Sequence, residues 1–275
     1  MSAVITLLSD FGWQDVYVGV MKGVIAAIAP NTTIVDLTHA VPAQDVATGG
    51  FQLANAVPYF PRNTVHVAVV DPGVGGQRRA VAVECECGIF IVPDNGLLSQ
   101  VCDRFPAQAA VVLDNPEYWR VPDPSRTFHG RDIFAPVGAH LAAGILLAQV
   151  GSPIDPATLM HYSRPPVQQT KSSVAGTVQA CDRFGNVITN IPGDLVDSSA
   201  AGARWVAIAN GRTVPGGCTY GDVALGEAVA LIGSHGWIEL AVNGGNARDQ
   251  LHVQCDDRVE IQWLSGDRQS LHASQ

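Results

Sequence analysis

The chain is short of basic charge, of clustered metal ligands and of long apolar runs, and each shortage removes a class of function. Its 275 residues carry 16 Lys and Arg against 25 Asp and Glu, a formal net charge of −9. No basic run is present, so nucleic-acid binding, which needs clustered cations against phosphate, is not expected. The six cysteines, at 85, 87, 102, 181, 218 and 255, form no C-x-x-C pair. A zinc ribbon is therefore not expected. Cys85 and Cys87 share one face of a strand and read as small apolar residues. No apolar stretch approaches the ~20 residues of a membrane helix. The N-terminus enters Val4–Leu8 without a signal-peptide pattern. A cytoplasmic protein with reduced thiols is the expectation. P-loop, G-x-G-x-x-G and G-x-S-x-G motifs are also missing.

What is present suits a folded chain of two domains: 47% hydrophobic residues and only 15% charged ones. The first part alternates strand and helix signals. Strands are expected at Val4–Leu8, Thr33–Leu37, Val65–Val70 and Ala109–Leu113, with a strand pair at Ala80–Glu84 and Ile89–Val92. Helices are expected from Asp15 to Ile28, from Asp45 to Tyr59, from Leu97 to Cys102, and over a long apolar run from Arg131 to Ala148. This alternation predicts an α/β domain with a mostly parallel sheet covered on both faces. A polar, proline-containing stretch near Tyr162–Ser172 breaks the rhythm. Short strands with glycine-rich turns follow, as in a small β-barrel or sandwich. The expected organisation is an N-terminal α/β domain over 1–163, a linker over 164–172 and a smaller β-barrel domain over 173–275.

Three apolar strands end in polar, glycine-containing turns. These are Ser9-Asp10-Phe11-Gly12, Asp71-Pro72-Gly73-Val74-Gly75 with Arg78, and Pro93-Asp94-Asn95-Gly96. In open α/β proteins such strand ends build the binding crevice. Asp10 reads either as an acceptor for a ribose diol or as a helix cap. Asp71 and Arg78 read either as chemistry or as a loop-bracing ion pair. His129, in Phe128-His129-Gly130-Arg131-Asp132, stands at a helix entrance, where the dipole favours neutral imidazole. It can orient water, act as a base, or only cap the helix. Asp182-Arg183-Phe184-Gly185-Asn186 is either a tight turn or a platform that stacks and hydrogen-bonds a base. Gly233-Ser234-His235-Gly236 and Asn243-Gly244-Gly245-Asn246 are further turns that can meet a ligand or simply close hairpins.

Taken in order, these motifs closely resemble the S-adenosyl-L-methionine (SAM) hydroxide adenosyltransferase family, the adenosine-forming SAM hydrolases, which are related to the SAM-dependent fluorinase and chlorinase. The resemblance runs from about Val4 to about Asn246. It implies an N-terminal α/β domain, a C-terminal β-barrel and a homotrimer with SAM between the N-domain of one subunit and the C-domain of the next. It also implies attack of water on ribose C5′, releasing adenosine and L-methionine, with no metal or other cofactor. The catalytic set falls on Asp71, Arg78 and His129, and the ribose-binding acid on Asp10. The methionine end falls near Asp15, Asp182, Ser234 and His235, and the adenine contacts near Phe184, Asn186 and the backbone of Asn243 and Gly244.

Hydrolysis is favoured over halogenation. The fluorinase has tyrosines where Asp71 and His129 stand, a serine at the Gly130 position, and an extra loop that Cys85-Glu86-Cys87-Gly88 is too short to hold. An arginine that grips the methionine carboxylate there is His235 here. An acid, a guanidinium and an imidazole make a hydrated socket for water, whereas halide capture needs a dry pocket with few donors. The rival readings are a SAM-dependent halogenase, a metal-dependent hydrolase using Asp10, Asp15, Asp71, His129 and Asp132, and a non-catalytic adenosine or SAM sensor.

Overall fold

The computed structural model describes residues 3–199 and 204–264. The chain divides into two compact units between Ser163 and Arg164.

In the first unit a seven-stranded sheet has the order β2-β1-β3-β5-β4-β6-β7. The strands are β1 (Val4–Ser9), β2 (Thr33–Thr38), β3 (Val65–Val69), β4 (Ala80–Cys85), β5 (Gly88–Pro93), β6 (Ala107–Val112) and β7 (Ser152–Ile154). Period-two alternation divides the side chains between two cores. Val65, Val67 and Val69 face the layer formed by α1 (Tyr17–Ile28) and α4 (Ala135–Ala142). Ala68 and Val70 face α2 (Val46–Ala56) and α3 (Ser99–Arg104). Met21 and Ile25, one helical turn apart on α1, are buried in the first core. Asp45 caps α2 by accepting from the Thr48 N–H at 2.9 Å.

The sheet is mixed rather than mostly parallel. β2-β1-β3-β5 is parallel, as the β-helix-β rhythm requires, while the β5-β4, β4-β6 and β6-β7 pairings are antiparallel. The reason is local. Only Glu86 and Cys87 separate β4 from β5, and so short a connection forces a hairpin.

The long helix expected from Arg131 to Ala148 is also shorter and less regular. It opens with a π-turn over Gly130–Phe134 and ends at Ala142, where Gly144, at φ +99°, turns the chain.

The second unit is a nearly closed antiparallel barrel. Its strands are β8 (Gln168–Gln169), β9 (Ser173–Cys181), β10 (Val187–Pro192), β11 (Trp205–Ala209), β12 (Arg212–Pro215), β13 (Ala228–Ile232), β14 (Trp237–Val242) and β15 (Arg258–Trp263). They run in the order β12-β11-β15-β9-β10-β14-β13, with β8 on β9. A bridge from Gly216 to Ala230 brings the two ends together. Part of the stretch expected as a linker is thus sheet, because Gln168 and Gln169 pair with Ala175 and Val174. Inward residues such as Val178, Ile191, Ile238, Leu240 and Ile261 fill the barrel.

His66 on β3 is fully buried, stacked on Phe90, with Nδ1 2.8 Å from Thr6 Oγ1. Burial pushes its pKa down from 6.5 to about 4. The unfolded chain therefore binds a proton that the folded chain refuses, and stability falls as pH drops through this window. At about 1.4 kcal/mol per unit, the loss by pH 4 is roughly 3 kcal/mol. Urea melts of wild type and His66→Phe between pH 7 and pH 4 are expected to show a shallower acid slope in the variant. Parallel slopes would refute this account.

Candidate active site

The carboxyl edge of the first unit's sheet gathers the polar strand ends. Ser9 of β1 lies beside Val69 of β3, so Asp10 and Asp71 leave adjacent strands at the same edge. β5 runs parallel to β3 and delivers Asp94 and Asn95 there as well. The Asn95 side-chain amide donates to the Val70 carbonyl at 2.9 Å and braces the end of β3.

Arg78 joins the catalytic candidates. Its Nε donates to both oxygens of Asp71 at 3.0 Å, and an Nη to Asp71 Oδ2 at 2.5 Å. The same Nη lies 2.7 Å from His129 Nδ1. The Asp71 side chain is only 3% exposed and that of Arg78 11%. The Arg78 guanidinium also lies over the Phe134 ring, 5.4 Å from its centroid. Guanidinium cannot accept a hydrogen bond, so His129 Nδ1 must accept. The imidazole is thereby fixed with its hydrogen on Nε2. Burial, then the adjacent Arg78 cation, holds the His129 pKa below the ordinary histidine value, which keeps the ring neutral. His129 stands at the helix entrance, yet its side chain makes no capping hydrogen bond.

Two further features hold this geometry. Gly75 has φ +74°, and any side chain there would overlap the Arg126 carbonyl oxygen, so the 71–79 loop nests directly on the segment leading to His129. Asp132 is fully buried and ties the same segment down. Its carboxylate accepts from Arg120 Nε and Arg131 Nε at 2.7 Å and from the Ser125 N–H at 2.9 Å. Burial raises its pKa, but the hydrogen bonds from Arg131, Arg120 and Ser125 outweigh this and leave it well below the ordinary carboxylate range.

The other expected residues of this unit are placed differently. Asp10 does not cap α1, whose N-cap is Val16; the Asp10 Oδ2 accepts from the Gln44 N–H at 2.8 Å. Asp15 is exposed before α1. Asp94 serves the fold, accepting from Arg79 Nε and the Met160 N–H, both at 2.7 Å. A cavity of about 340 Å³ under the 156–161 strap, lined by Val81, Val92, Leu98 and Met160 among others, contains none of the Asp71, Arg78 and His129 set.

In the second unit, Asp182 and Asn186 lock one turn. Asp182 accepts from the N–H groups of Phe184 and Asn186 and from the Asn186 amide, each at 2.9 Å. The turn projects Phe184, 75% exposed. Gly185 packs against Asn246, which brings this turn to the one after β14. There the Asn243 N–H and C=O are both engaged, with Glu227 O and Gly226 N, so the expected adenine contact through that backbone has competition from the hairpin. Gly244, at φ +69°, lies against Leu225.

Ser234 is exposed in the turn between β13 and β14. His235 Nδ1 accepts from the Trp237 N–H at 3.2 Å, and its Nε2 lies 3.1 Å from Glu239 Oε2. Glu239, buried mid-strand, also accepts from the Tyr220 hydroxyl at 2.8 Å. Burial, then this bond, pushes the Tyr220 pKa up to about 12, with the Asp182 charge contributing. Asp182, Tyr220, Glu239 and His235 are thus electrostatically linked. Tyr220, Glu239 and the wider role of Asp132 were not identified from sequence, although a lone acid within Trp237–Val242 was a usable signal.

An acid, a guanidinium and an imidazole on the carboxyl edge of an α/β unit, in a chain that continues into a β-barrel, define a two-domain α/β enzyme. Residues 5–151 match the model of the SAM hydroxide adenosyltransferase N-terminal domain, and residues 176–260 that of the C-terminal domain. The chain belongs to this family. It is 42% identical over 258 residues to a protein of Salinispora tropica named (R)-S-adenosyl-L-methionine hydrolase, with 94% of this chain and 97% of that one covered. A fluorinase of an Actinoplanes species is more distant, at 28% identity over 275 residues, covering 87% and 91%. The crystal structure of a conserved protein from Thermotoga maritima is similar with a TM-score of 0.89 and 36% identity, covering 94% of this chain and 99% of that one.

The electrostatics around His129 can be read by NMR. Removing the cation in Arg78→Met is expected to raise the His129 pKa, and removing the anion in Asp71→Asn to lower it. Imidazole Cε1–H titrations that coincide with wild type in both variants would contradict the arrangement.

Proposed function

We propose that the chain hydrolyses SAM to adenosine and L-methionine by attack of an oriented water on ribose C5′. The observation that carries this reading is the guanidinium of Arg78 held between Asp71 and His129. Family membership and the (R)-SAM hydrolase relatives support it. With Nδ1 bound to Arg78, His129 offers its Nε2–H as a donor to the water oxygen. The ring has no lone pair left for a proton, so Asp71 is the proton acceptor. The new O–C5′ bond forms as the C5′–S bond breaks. The sulfonium takes that electron pair and becomes the neutral thioether of methionine, while the water's proton goes to Asp71.

Charge is lost at sulfur in this step, so a site that strips water from the cation lowers the barrier. Holding water, C5′ and sulfur in line can contribute roughly 7–11 kcal/mol. Asp10 is the ribose-diol acceptor in this reading. Asp182, Asn186 and Phe184 handle the adenine and amino-acid ends together with Ser234, His235, Asn243, Gly244 and Asp15. His235 already uses both ring nitrogens, so Asp182 is the stronger candidate for the methionine ammonium. We further infer a metal-independent, cytoplasmic enzyme that assembles as a homotrimer with sites completed by a neighbouring subunit, as the family resemblance implies. Among the described residues, no helix is long and apolar enough to cross a membrane.

Purified protein incubated with SAM is expected to release adenosine and methionine, without 5′-halo-adenosine in chloride or fluoride, and equally well in excess chelator. Asp71→Asn, Arg78→Ala and His129→Ala should each lower kcat by about 10²-fold or more, while SAM still binds. A wild-type rate in any of them removes that residue's role, and binding without turnover in the wild type leaves the sensor reading.

A further inference from the structure

A chain of polar groups at the buried end of β1 takes no part in the proposed reaction. Lys22 Nζ donates to Asp36 Oδ2 at 2.5 Å, Asp36 Oδ1 lies 3.1 Å from His39 Nε2, and His39 Nδ1 lies 2.7 Å from Ser9 Oγ. The order Ser–His–Asp has the look of a hydrolase nucleophile, but Ser9 is 1% exposed and His39 is fully buried. No substrate reaches that hydroxyl.

The hydrogens in this chain can be assigned. Burial disfavours the charged form of His39 and outweighs the opposing pull of Asp36, so the ring is neutral. The Asp36 carboxylate, held below its ordinary pKa against burial by Lys22 and His39, only accepts. His39 Nε2 therefore carries the hydrogen and donates to Asp36. Nδ1 is left as an acceptor, which requires the Ser9 hydroxyl to donate to it. Ser9 Oγ then accepts from the Phe11 N–H at 3.3 Å. The backbone carbonyl of His39 accepts from the Gly12 N–H at 2.8 Å. Both sides of the Ser9–Gly12 turn are thus tied to one residue, and Trp13 packs against that residue's ring in a T-shaped arrangement with centroids 4.8 Å apart. Asp10 stands inside this turn.

We propose that His39 is a positioning residue for the nucleoside end of the substrate. Its ring and carbonyl fix the turn that presents the Asp10 carboxylate. This inference rests on the reading of Asp10 as the ribose acceptor. It assigns His39 to binding and not to the chemical step.

Two amide replacements separate the two faces of the ring. In His39→Asn the side-chain carbonyl can stand where Nδ1 stands and still accept from Ser9. In His39→Gln the side-chain amide can still donate to Asp36, but the Ser9 hydroxyl loses its acceptor. Leaving a buried hydroxyl unpaired is expected to raise both the KM for SAM and the Kd for adenosine about tenfold in His39→Gln, with kcat within about twofold. His39→Asn should recover most of that affinity. Ser9→Ala should reproduce the His39→Gln effect and add nothing to it in the double variant, which keeps the test available if His39→Gln folds poorly.

Loss of kcat at unchanged KM, or equal affinity in the Asn and Gln variants, would overturn the proposal. Asp10→Ala, measured alongside, distinguishes the two failures. Unchanged adenosine affinity there defeats the ribose reading itself and the inference with it. Weakened affinity in Asp10→Ala beside normal affinity in His39→Gln and Ser9→Ala defeats only the positioning role.

Discussion

The arrangement in the first unit depends on one guanidinium that faces two partners. Arg78 fills Asp71 with two of its nitrogens and gives a remaining N–H to His129 Nδ1. A lysine has no planar fork with which to hold a carboxylate and an imidazole together. This contact, together with burial, settles two matters: the imidazole stays neutral, and its hydrogen points away from the arginine. Because both side chains of the ion pair are largely withdrawn from solvent, the charges are screened less than in a surface pair.

The mixed sheet explains how so short a stretch brings these groups together. β3 ends at the carboxyl edge, and β4 starts at the same edge because it runs antiparallel to β5, which is parallel to β3. The connection from Val70 to Arg79 therefore never crosses to the other end of the sheet. A wholly parallel sheet would have required a crossover helix there, and Asp71 and Arg78 would have been separated by it.

Much of this was legible in the sequence, and the parts that were not have identifiable physical causes. Val65–Val70 ending in Asp-Pro-Gly fixed the strand end, and the order of the motifs gave the family. Period-two and helical spacing located β1, β2, β3, α1 and α2 to within a few residues. Pairing direction was partly hidden, because β5 is as apolar as its parallel neighbours and only the brevity of Glu86-Cys87 signals the hairpin. The π-turn at Gly130 was hidden too, since a π-turn has the same apolar composition as the α-helix it interrupts. For Asp10 and His129 the sequence left both capping and chemistry open. In the structure neither side chain caps these helix starts. Asp182 shows the reverse: it is a turn-forming residue, and any contact with substrate must be made through lone pairs that the turn leaves over. Glu239 and His39 are not legible as network residues, because a single polar residue next to apolar ones does not reveal which partners it meets.

The nesting of Gly75 on the Arg126 carbonyl has a mechanical corollary. With no atom to spare between the two backbones, neither loop can swing outward alone without losing the other's support. The loop that carries Asp71 and the segment that leads to His129 are thus braced against each other. Any movement at this edge must then carry both loops together.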